Sequence, residues 1–95
     1  MDLGLTGKVA MVTGASRGLG RAMAKALAEE GMYVSICART RETLNEAVAE
    51  LTLTGSVPRP AIGMVGDVTK ADVAQKWIDE TAKQFGGIDV LVNNA

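Results

Sequence analysis

A glycine-rich turn lies between residues 13 and 20, where the sequence reads Thr-Gly-Ala-Ser-Arg-Gly-Leu-Gly. It follows a short apolar run and precedes an alanine-rich stretch with helical spacing, so it joins a buried strand to the start of a helix. Backbone N–H groups and the helix dipole at such a junction attract an anion, usually a phosphate or pyrophosphate. Gly14 can adopt a φ value that a side chain would disfavour, while Gly18 and Gly20 allow close approach to the backbone. The sequence therefore predicts a phosphate-binding loop, the alternative being a turn that binds no ligand.

A second group of candidate residues lies about 20 positions beyond these glycines, where many dinucleotide-binding folds hold the ribose 2′-hydroxyl with an acidic side chain. This sequence has Ala38, Arg39 and Thr40 there and no acid. A carboxylate would repel a 2′-phosphate, whereas the Arg39 guanidinium can bind it with two hydrogen bonds while Arg17 approaches from another side. The alternative is that Arg39 and Arg41 are solvated loop charges.

The elements that must position these residues alternate between strand and helix. Strands are predicted at 8–12, 33–38, 61–65 and 88–92, and helices at 18–30, at 41–51 and after Thr69. Thr69 can cap the third helix, while Gly31 and the pair Gly86-Gly87 are expected to end the first and third helices. Residues 52–60 contain a glycine and two prolines that break regular structure. This alternation predicts βαβ crossovers and a parallel sheet, and we expect one α/β domain over residues 1–95.

Composition limits the classes of function that this chain can have. Apolar residues make up 47% of the sequence and aromatic residues only 3%, so small aliphatic side chains must build the core. The net charge of −1 gives no indication of a nucleic-acid or membrane partner. Cys37 is the single cysteine and histidine is absent, which excludes an internal disulfide and leaves no zinc site to predict. There is neither a basic leader nor a long apolar run, so we expect a cytoplasmic protein.

The spacing of the glycine turn is Gly-x-x-x-Gly-x-Gly, and no Gly-Lys-Ser/Thr follows it as it would in a P-loop. With the preceding threonine it resembles the cofactor loop of the short-chain dehydrogenase/reductase family. Residues 89–95 read Asp-Val-Leu-Val-Asn-Asn-Ala, which is similar to the family's Asn-Asn-Ala-Gly strand without its last glycine. The two motifs stand in the family's order, and the resemblance covers the whole chain. It implies a Rossmann-type doubly wound parallel sheet, of which this chain is the N-terminal β-α-β-α-β-α-β portion.

The resemblance also implies a cofactor and a set of site residues. The pair of arginines resembles that of NADP-preferring members, so NADP (NADPH) is the expected cofactor. Asp67 would accept a hydrogen bond from the exocyclic amine of the adenine and Val68 would cover the ring; the alternative is a helix-capping Asp beside a core Val. Asn94 would face the cofactor while Asn93 supports the sheet. The cofactor-binding residues are thus expected to be Gly14, Ser16, Arg17, Gly18, Leu19, Gly20, Arg39, Asp67, Val68 and Asn94.

Catalysis in that family depends on a Tyr-x-x-x-Lys pair, a Ser and a further Asn, all beyond the Asn-Asn-Ala-Gly motif. The only tyrosine here is Tyr33, and the fourth residue after it is Cys37. We therefore expect no catalytic residue in this chain and no activity from it alone. The resemblance implies the cofactor-binding half of a longer, homo-oligomeric NADP-dependent reductase that moves hydride between nicotinamide and a small carbonyl or alcohol substrate. The alternative is a non-catalytic nucleotide-binding module.

Overall fold

The computed structural model of the protein describes residues 4–55 and 59–94. The middle of the predicted 52–60 loop and the last residue of the Asn-Asn-Ala motif lie outside the described residues. Within these residues three helices and four strands alternate: β1 (Val9–Thr13), α1 (Gly18–Glu29), β2 (Tyr33–Ala38), α2 (Arg41–Thr52), β3 (Ile62–Val65), α3 (Ala71–Phe85) and β4 (Val90–Val92). No helix within the described ranges is long and apolar enough to cross a membrane.

The four strands form one parallel sheet in the order β3-β2-β1-β4. The chain builds outward from β1 to β3 and then returns to the other side of β1 for β4. This reversal is the defining feature of a doubly wound sheet, and ligands bind such sheets beside the reversal, at the carboxyl ends of the strands. The predicted α/β fold with a parallel sheet is confirmed.

Helices cover both faces of the sheet. On one face, α1 and α2 pack on alternate strand residues, and the buried core there is aliphatic: Ala10, Val12, Ala15, Ala24, Ala28, Met32, Val34, Ile36, Ala38, Leu44, Ala47 and Leu51. On the other face, Trp77 of α3 packs on Met11 and Cys37, with Met64 and Val68 beside them. Adjacent strand residues thus serve different cores because their side chains alternate across the sheet.

The predicted ends of the helices are partly confirmed. Gly31 follows α1 with φ of 85°, and Gly86 ends α3 with φ of 84°, the left-handed conformation that favours glycine at these positions. The predicted cap at Thr69 is wrong. Lys70 occupies the N-cap position of α3 with no side-chain cap, and the Thr69 hydroxyl donates instead to the Asp67 carboxylate. Because α3 begins at Ala71, Thr69 lies one residue before the N-cap position, where its hydroxyl is free to bind the preceding Asp.

A buried polar group joins α3 to β2. The Trp77 indole Nε1 donates to Ser35 Oγ at 2.9 Å, and Ser35 Oγ lies 2.8 Å from Thr81 Oγ1. Ser35 and Thr81 are fully buried and Trp77 is 3% exposed. The contact partners satisfy one another, so α3 can bury polar atoms against the centre of the sheet without leaving them unpaired.

Candidate functional site

A cleft of about 470 Å³ opens at the carboxyl edge of the sheet. Each of the four strands contributes residues from its end or from the turn that follows it, since the strands are parallel and their carboxyl ends meet there. The lining residues are Thr13, Gly14, Ser16, Arg17, Cys37, Ala38, Arg39, Thr40, Gly66, Asp67, Val68, Thr69 and Asn94. A volume of this size lies within the usual range of small-molecule and cofactor sites, roughly 300–1,000 Å³.

The three glycines of the first turn differ in what surrounds them. A Cβ on Gly14 would collide with the Asn94 carbonyl oxygen, and one on Gly20 would collide with the Gly14 carbonyl oxygen and lie 2.7 Å from Asn94 Nδ2. Gly18, with φ of 63°, has nothing within 4 Å of a Cβ position. Gly14 and Gly20 therefore allow α1 and the end of β4 to approach β1, and Gly18 leaves open space at the mouth of the turn.

Among the described residues, no side chain caps the backbone N–H groups at the N-terminus of α1. Arg17 is the N-cap residue, it makes no side-chain cap, and the first turn contains no acidic residue. Behind it, Arg21 pairs with Glu50 of α2 at 3.1 Å and its Nη1 donates to the Ser16 carbonyl oxygen at 3.5 Å. The first N–H groups of a helix need an acceptor, so this end is suited to an anion from outside the chain.

Arginines and a single carboxylate give the cleft its charge. Arg17 and Arg39 both line it and both are exposed, and Asp67 is the one acidic side chain among the described lining residues. Hydrogen bonds from the Thr69 hydroxyl and backbone N–H lower the pKa of Asp67, with smaller contributions from Arg39 and Lys70. The arrangement offers a cationic region at the end of β2 and an ionised hydrogen-bond acceptor at the end of β3.

Val68, next to Asp67, contacts both the cleft and a buried core. It lines the cleft, and it also packs against the core formed by Met11, Cys37 and Trp77. Asp67 does not cap α3, since its Oδ1 accepts from Thr69 N at 3.0 Å and Lys70 occupies the cap position. Val68 therefore belongs both to the core and to the cleft wall. The alternative in which Asp67 caps the third helix is wrong.

The two asparagines lie just beyond β4 and both contact Thr13. Asn93 Oδ1 accepts from the Thr13 hydroxyl at 3.2 Å, and the backbone N–H of Asn94 donates to the same hydroxyl at 2.7 Å. Only Asn94 lines the cleft. Thr13 thus ties the end of β4 to the end of β1, and it holds Asn94 against the glycine turn.

Most of the site residues predicted from the sequence line the cleft, and the structure adds further lining residues. Seven of the ten predicted residues line the cleft: Gly14, Ser16, Arg17, Arg39, Asp67, Val68 and Asn94. Gly18, Leu19 and Gly20 belong to the first turn of α1 and lie outside the lining; the Leu19 side chain is 69% exposed. The lining residues that the sequence analysis did not assign to the site are Thr13, Cys37, Ala38, Thr40, Gly66 and Thr69. Their position at strand ends was the available signal.

Cys37 belongs to the core, as its small apolar character suggests, although its sulfur atom is also at the cleft wall. It is 2% exposed, and its thiol donates to the Gly66 carbonyl oxygen at 3.6 Å. Burial, and then the negative charge of Asp67, raise the pKa of the thiol. Within the described ranges no three His, Cys, Asp or Glu residues are grouped so as to hold a metal ion.

Together these features define a class of protein: a doubly wound α/β fold with a glycine-rich turn at the reversal of its sheet. The model of the short chain dehydrogenase family matches residues 8–95. The chain belongs to that family, and the resemblance drawn from its two motifs is confirmed.

Several known proteins and solved structures are similar to this chain. It is 46% identical over 88 residues to a 3-oxoacyl-acyl-carrier-protein reductase of Staphylococcus epidermidis, covering 93% of this chain and 35% of that protein. It is 44% identical over 92 residues to an uncharacterized oxidoreductase of Methylorubrum extorquens, covering 96% of this chain and 36% of that protein. The L-sorbose reductase of Gluconobacter frateurii, solved with NADPH and L-sorbose, superposes with a TM-score of 0.91 at 37% identity, over 100% of this chain and 35% of its own. The chain therefore spans about a third of the length of these relatives.

Proposed function

We propose that this chain is the cofactor-binding part of an NADP-dependent oxidoreductase, which transfers hydride between nicotinamide and a carbonyl or alcohol substrate. Membership of the family supports the oxidoreductase class. The cleft supports the binding role, because its lining provides separate places for a phosphate, a ribose substituent and a base. A nicotinamide cofactor would supply the hydride chemistry, and the residues described here would bind and orient it.

The diphosphate of the cofactor fits the start of α1. The uncapped N–H groups there and the helix dipole favour an anion. Gly18 leaves the approach open, since nothing lies within 4 Å of its missing Cβ. Ser16 and Gly14 complete the turn on the cleft side. We infer that the diphosphate lies over this turn, with Leu19 on its exposed rim.

The choice of NADP over NAD is carried by Arg39, together with Arg17. Both guanidinium groups line the cleft, and no acidic side chain stands at the end of β2, where NAD-binding folds hold the 2′-hydroxyl. Thr40, the N-cap residue of α2, lines the cleft beside Arg39 and makes no side-chain cap. A 2′-phosphate would meet two cations there. The similarity to the L-sorbose reductase solved with NADPH supports the same choice.

The adenine fits the cleft wall formed by the turn after β3. Asp67 is an acceptor suited to an exocyclic amine, and Val68 offers an apolar surface to the ring. Asn94, held by Thr13 at the end of β4, lies on the opposite side of the glycine turn, toward the strand reversal. The expected order along the cleft is thus base at β3, 2′-phosphate at β2 and diphosphate at α1.

The test of NADP preference is a charge reversal at Arg39 in the full-length protein that contains this chain. Isothermal calorimetry should show that the unmodified protein binds NADPH more tightly than NADH. Arg39→Asp should weaken NADPH binding by about 1.5–3 kcal/mol, the value of a hydrogen bond to a charged group, and favour NADH relative to NADPH. Arg41→Asp is the matched control, because Arg41 is exposed on α2 and lies outside the cleft lining.

Equal affinity of the unmodified protein for the two cofactors would contradict the NADP assignment. An equal effect of the Arg39 and Arg41 substitutions would show a general field effect and would also contradict it. Turnover separates the oxidoreductase from a non-catalytic nucleotide-binding module, since only the former oxidises NADPH with carbonyl substrates. A single dinucleotide-binding domain over residues 1–95, inactivity of this chain alone, a homo-oligomeric parent and a cytoplasmic location stay predictions.

A further inference from the structure

We propose that Thr69 is a positioning residue that fixes the Asp67 carboxylate for recognition of a 6-amino purine. The inference deepens the proposed function and rests on it, because the purine is the adenine of the bound dinucleotide. It assigns a role to a residue that the sequence pattern had suggested only as a helix cap. The role follows from the contacts that Thr69 makes in place of that cap.

Both polar groups of Thr69 bind the same carboxylate oxygen. The hydroxyl donates to Asp67 Oδ1 at 2.6 Å and the backbone N–H donates to it at 3.0 Å. Among the described residues, none donates a hydrogen bond to Oδ2 in the contacts that the structure shows. One oxygen is therefore held by the turn, and the other is available to a ligand.

The backbone around this carboxylate is also held by a hydrogen bond. Lys70 N donates to the Asp67 carbonyl oxygen at 3.0 Å, which forms a turn between the end of β3 and the start of α3. Asp67 and Thr69 both line the cleft. A side chain held by two hydrogen bonds in a closed turn keeps one rotamer, whereas an unbound Asp samples several. Thr69 thus orders the acceptor before a ligand arrives, which lowers the entropic cost of recognition.

A fixed, ionised acceptor distinguishes purines by the group at position 6. The adenine amine donates to a carboxylate, whereas the oxo group of hypoxanthine is itself an acceptor and would face it with like polarity. The Thr69 hydrogen bonds are the largest causes that lower the pKa of Asp67, so they favour the form that only accepts. Loss of the hydroxyl would let the carboxylate turn away from an unsuitable base, and the selectivity would fall.

The experiment compares two cofactors in the full-length protein. NADPH and its reduced hypoxanthine analogue are titrated calorimetrically into the unmodified protein, Thr69→Val and Thr69→Ser. Valine keeps the shape and the backbone N–H but lacks the hydroxyl, and serine restores the hydroxyl. We expect Thr69→Val to reduce the preference for NADPH over the analogue by about 3- to 10-fold, the range for one hydrogen bond, and Thr69→Ser to retain it.

A second measurement does not depend on the cofactor. The Asp67 carboxyl is titrated by NMR in the same three proteins, and its pKa should rise in Thr69→Val and stay low in Thr69→Ser. Thr69 is exposed, so the valine variant is expected to fold. A shift confined to the valine variant would support the positioning contact, and an unchanged pKa would overturn it.

The outcomes separate this inference from the proposed function. If the unmodified protein binds NADPH and Thr69→Val keeps the full preference, the positioning role is overturned and the proposed function stands. If Thr69→Val weakens both cofactors equally, Thr69 only stabilises the loop, and the inference is again overturned. If the unmodified protein binds neither cofactor, the proposed function fails and the inference fails with it.

Discussion

Gly14, Gly18 and Gly20 stand in one turn and serve different purposes. From the sequence, Gly14 was expected to supply an unusual φ value, and Gly18 and Gly20 were expected to allow close approach to the backbone. In the structure a Cβ at Gly14 would collide with the carbonyl oxygen of Asn94, so Gly14 is required by the contact between β1 and the end of β4. Gly18 alone leaves open space. Two of these glycines are therefore needed for packing, and one is suited to a ligand.

This difference predicts unequal effects of alanine at Gly18 and Gly20. Gly18→Ala meets no atom and adds only the strain of a left-handed backbone, about 1–2 kcal/mol. Gly20→Ala meets the backbone of Gly14, which cannot move aside as a flexible side chain would, so it should lower the free energy of unfolding by about 3 kcal/mol or more. Urea denaturation of the two variants measures the difference, and equal losses would contradict this account.

Asp67 predicts a dependence of stability on pH. Its pKa is lowered in the folded protein, chiefly by the hydrogen bonds from Thr69. A carboxyl with a lowered folded pKa stabilises the protein fully above its unfolded pKa, and that contribution is lost as the pH falls through the folded pKa. Asp67→Asn should therefore reduce the free energy of unfolding at neutral pH, and its difference from the unmodified protein should shrink in acid. A difference that grows in acid would show that the sign is wrong.

At the scale of elements, α3 depends on a polar contact that its apolar pattern did not reveal. Trp77 and Thr81 lie four residues apart, which places them on the same, buried face of the helix. The sequence did not show that both would meet Ser35 in the middle of β2. Helical spacing gives the face of a helix that is buried, and only the packed structure decides which atoms meet across it.

Removing the shared partner should be costly. Ser35→Ala leaves the Trp77 indole N–H and the Thr81 hydroxyl buried without the oxygen that they share, at about 1–3 kcal/mol for an unsatisfied buried group. Glu50→Gln is the control, since it breaks the partly exposed pair with Arg21, worth about 1 kcal/mol or less. Unfolding by circular dichroism measures both losses.

Trp77 is the only tryptophan, so its fluorescence reports on this contact directly. The emission of Ser35→Ala should change, while that of Glu50→Gln should match the unmodified protein. A Ser35→Ala variant as stable as Glu50→Gln would contradict the importance of the buried contact.

At the scale of the whole molecule, one edge of the sheet collects the candidate site from four separate strand ends. Ligand binding at such an edge should stabilise the entire fold, because the groups that it contacts are assembled only in the native state. In the full-length protein, NADPH at about 100 times its Kd should add about 2.7 kcal/mol to the free energy of unfolding. Thermal unfolding should show a larger rise in Tm with NADPH than with an equal concentration of NADH. The same rise with both would contradict the NADP preference.

The sequence by itself determined the order of the elements and the fold class. The strand at Tyr33–Ala38 matches its predicted bounds, and α1 and α2 differ from theirs by one residue at the C-terminus. β1 is shifted by one residue and β4 is shorter than expected, because strand ends depend on pairing with a neighbour. Periodicity and helix-ending glycines are local signals, which explains why they could be interpreted without the fold.

Only the tertiary structure decided the contacts that complete the candidate site. Whether Thr69 caps α3 or only binds Asp67 depends on the exact residue at which the helix begins, which spacing does not resolve. The cleft lining includes Thr13, Cys37 and Thr40 because the carboxyl ends of parallel strands, distant in sequence, meet at one edge of the sheet. The sequence specified the motifs through local preferences. The packing of the sheet brought their atoms together, because the contacts of the site join residues that are far apart in the chain.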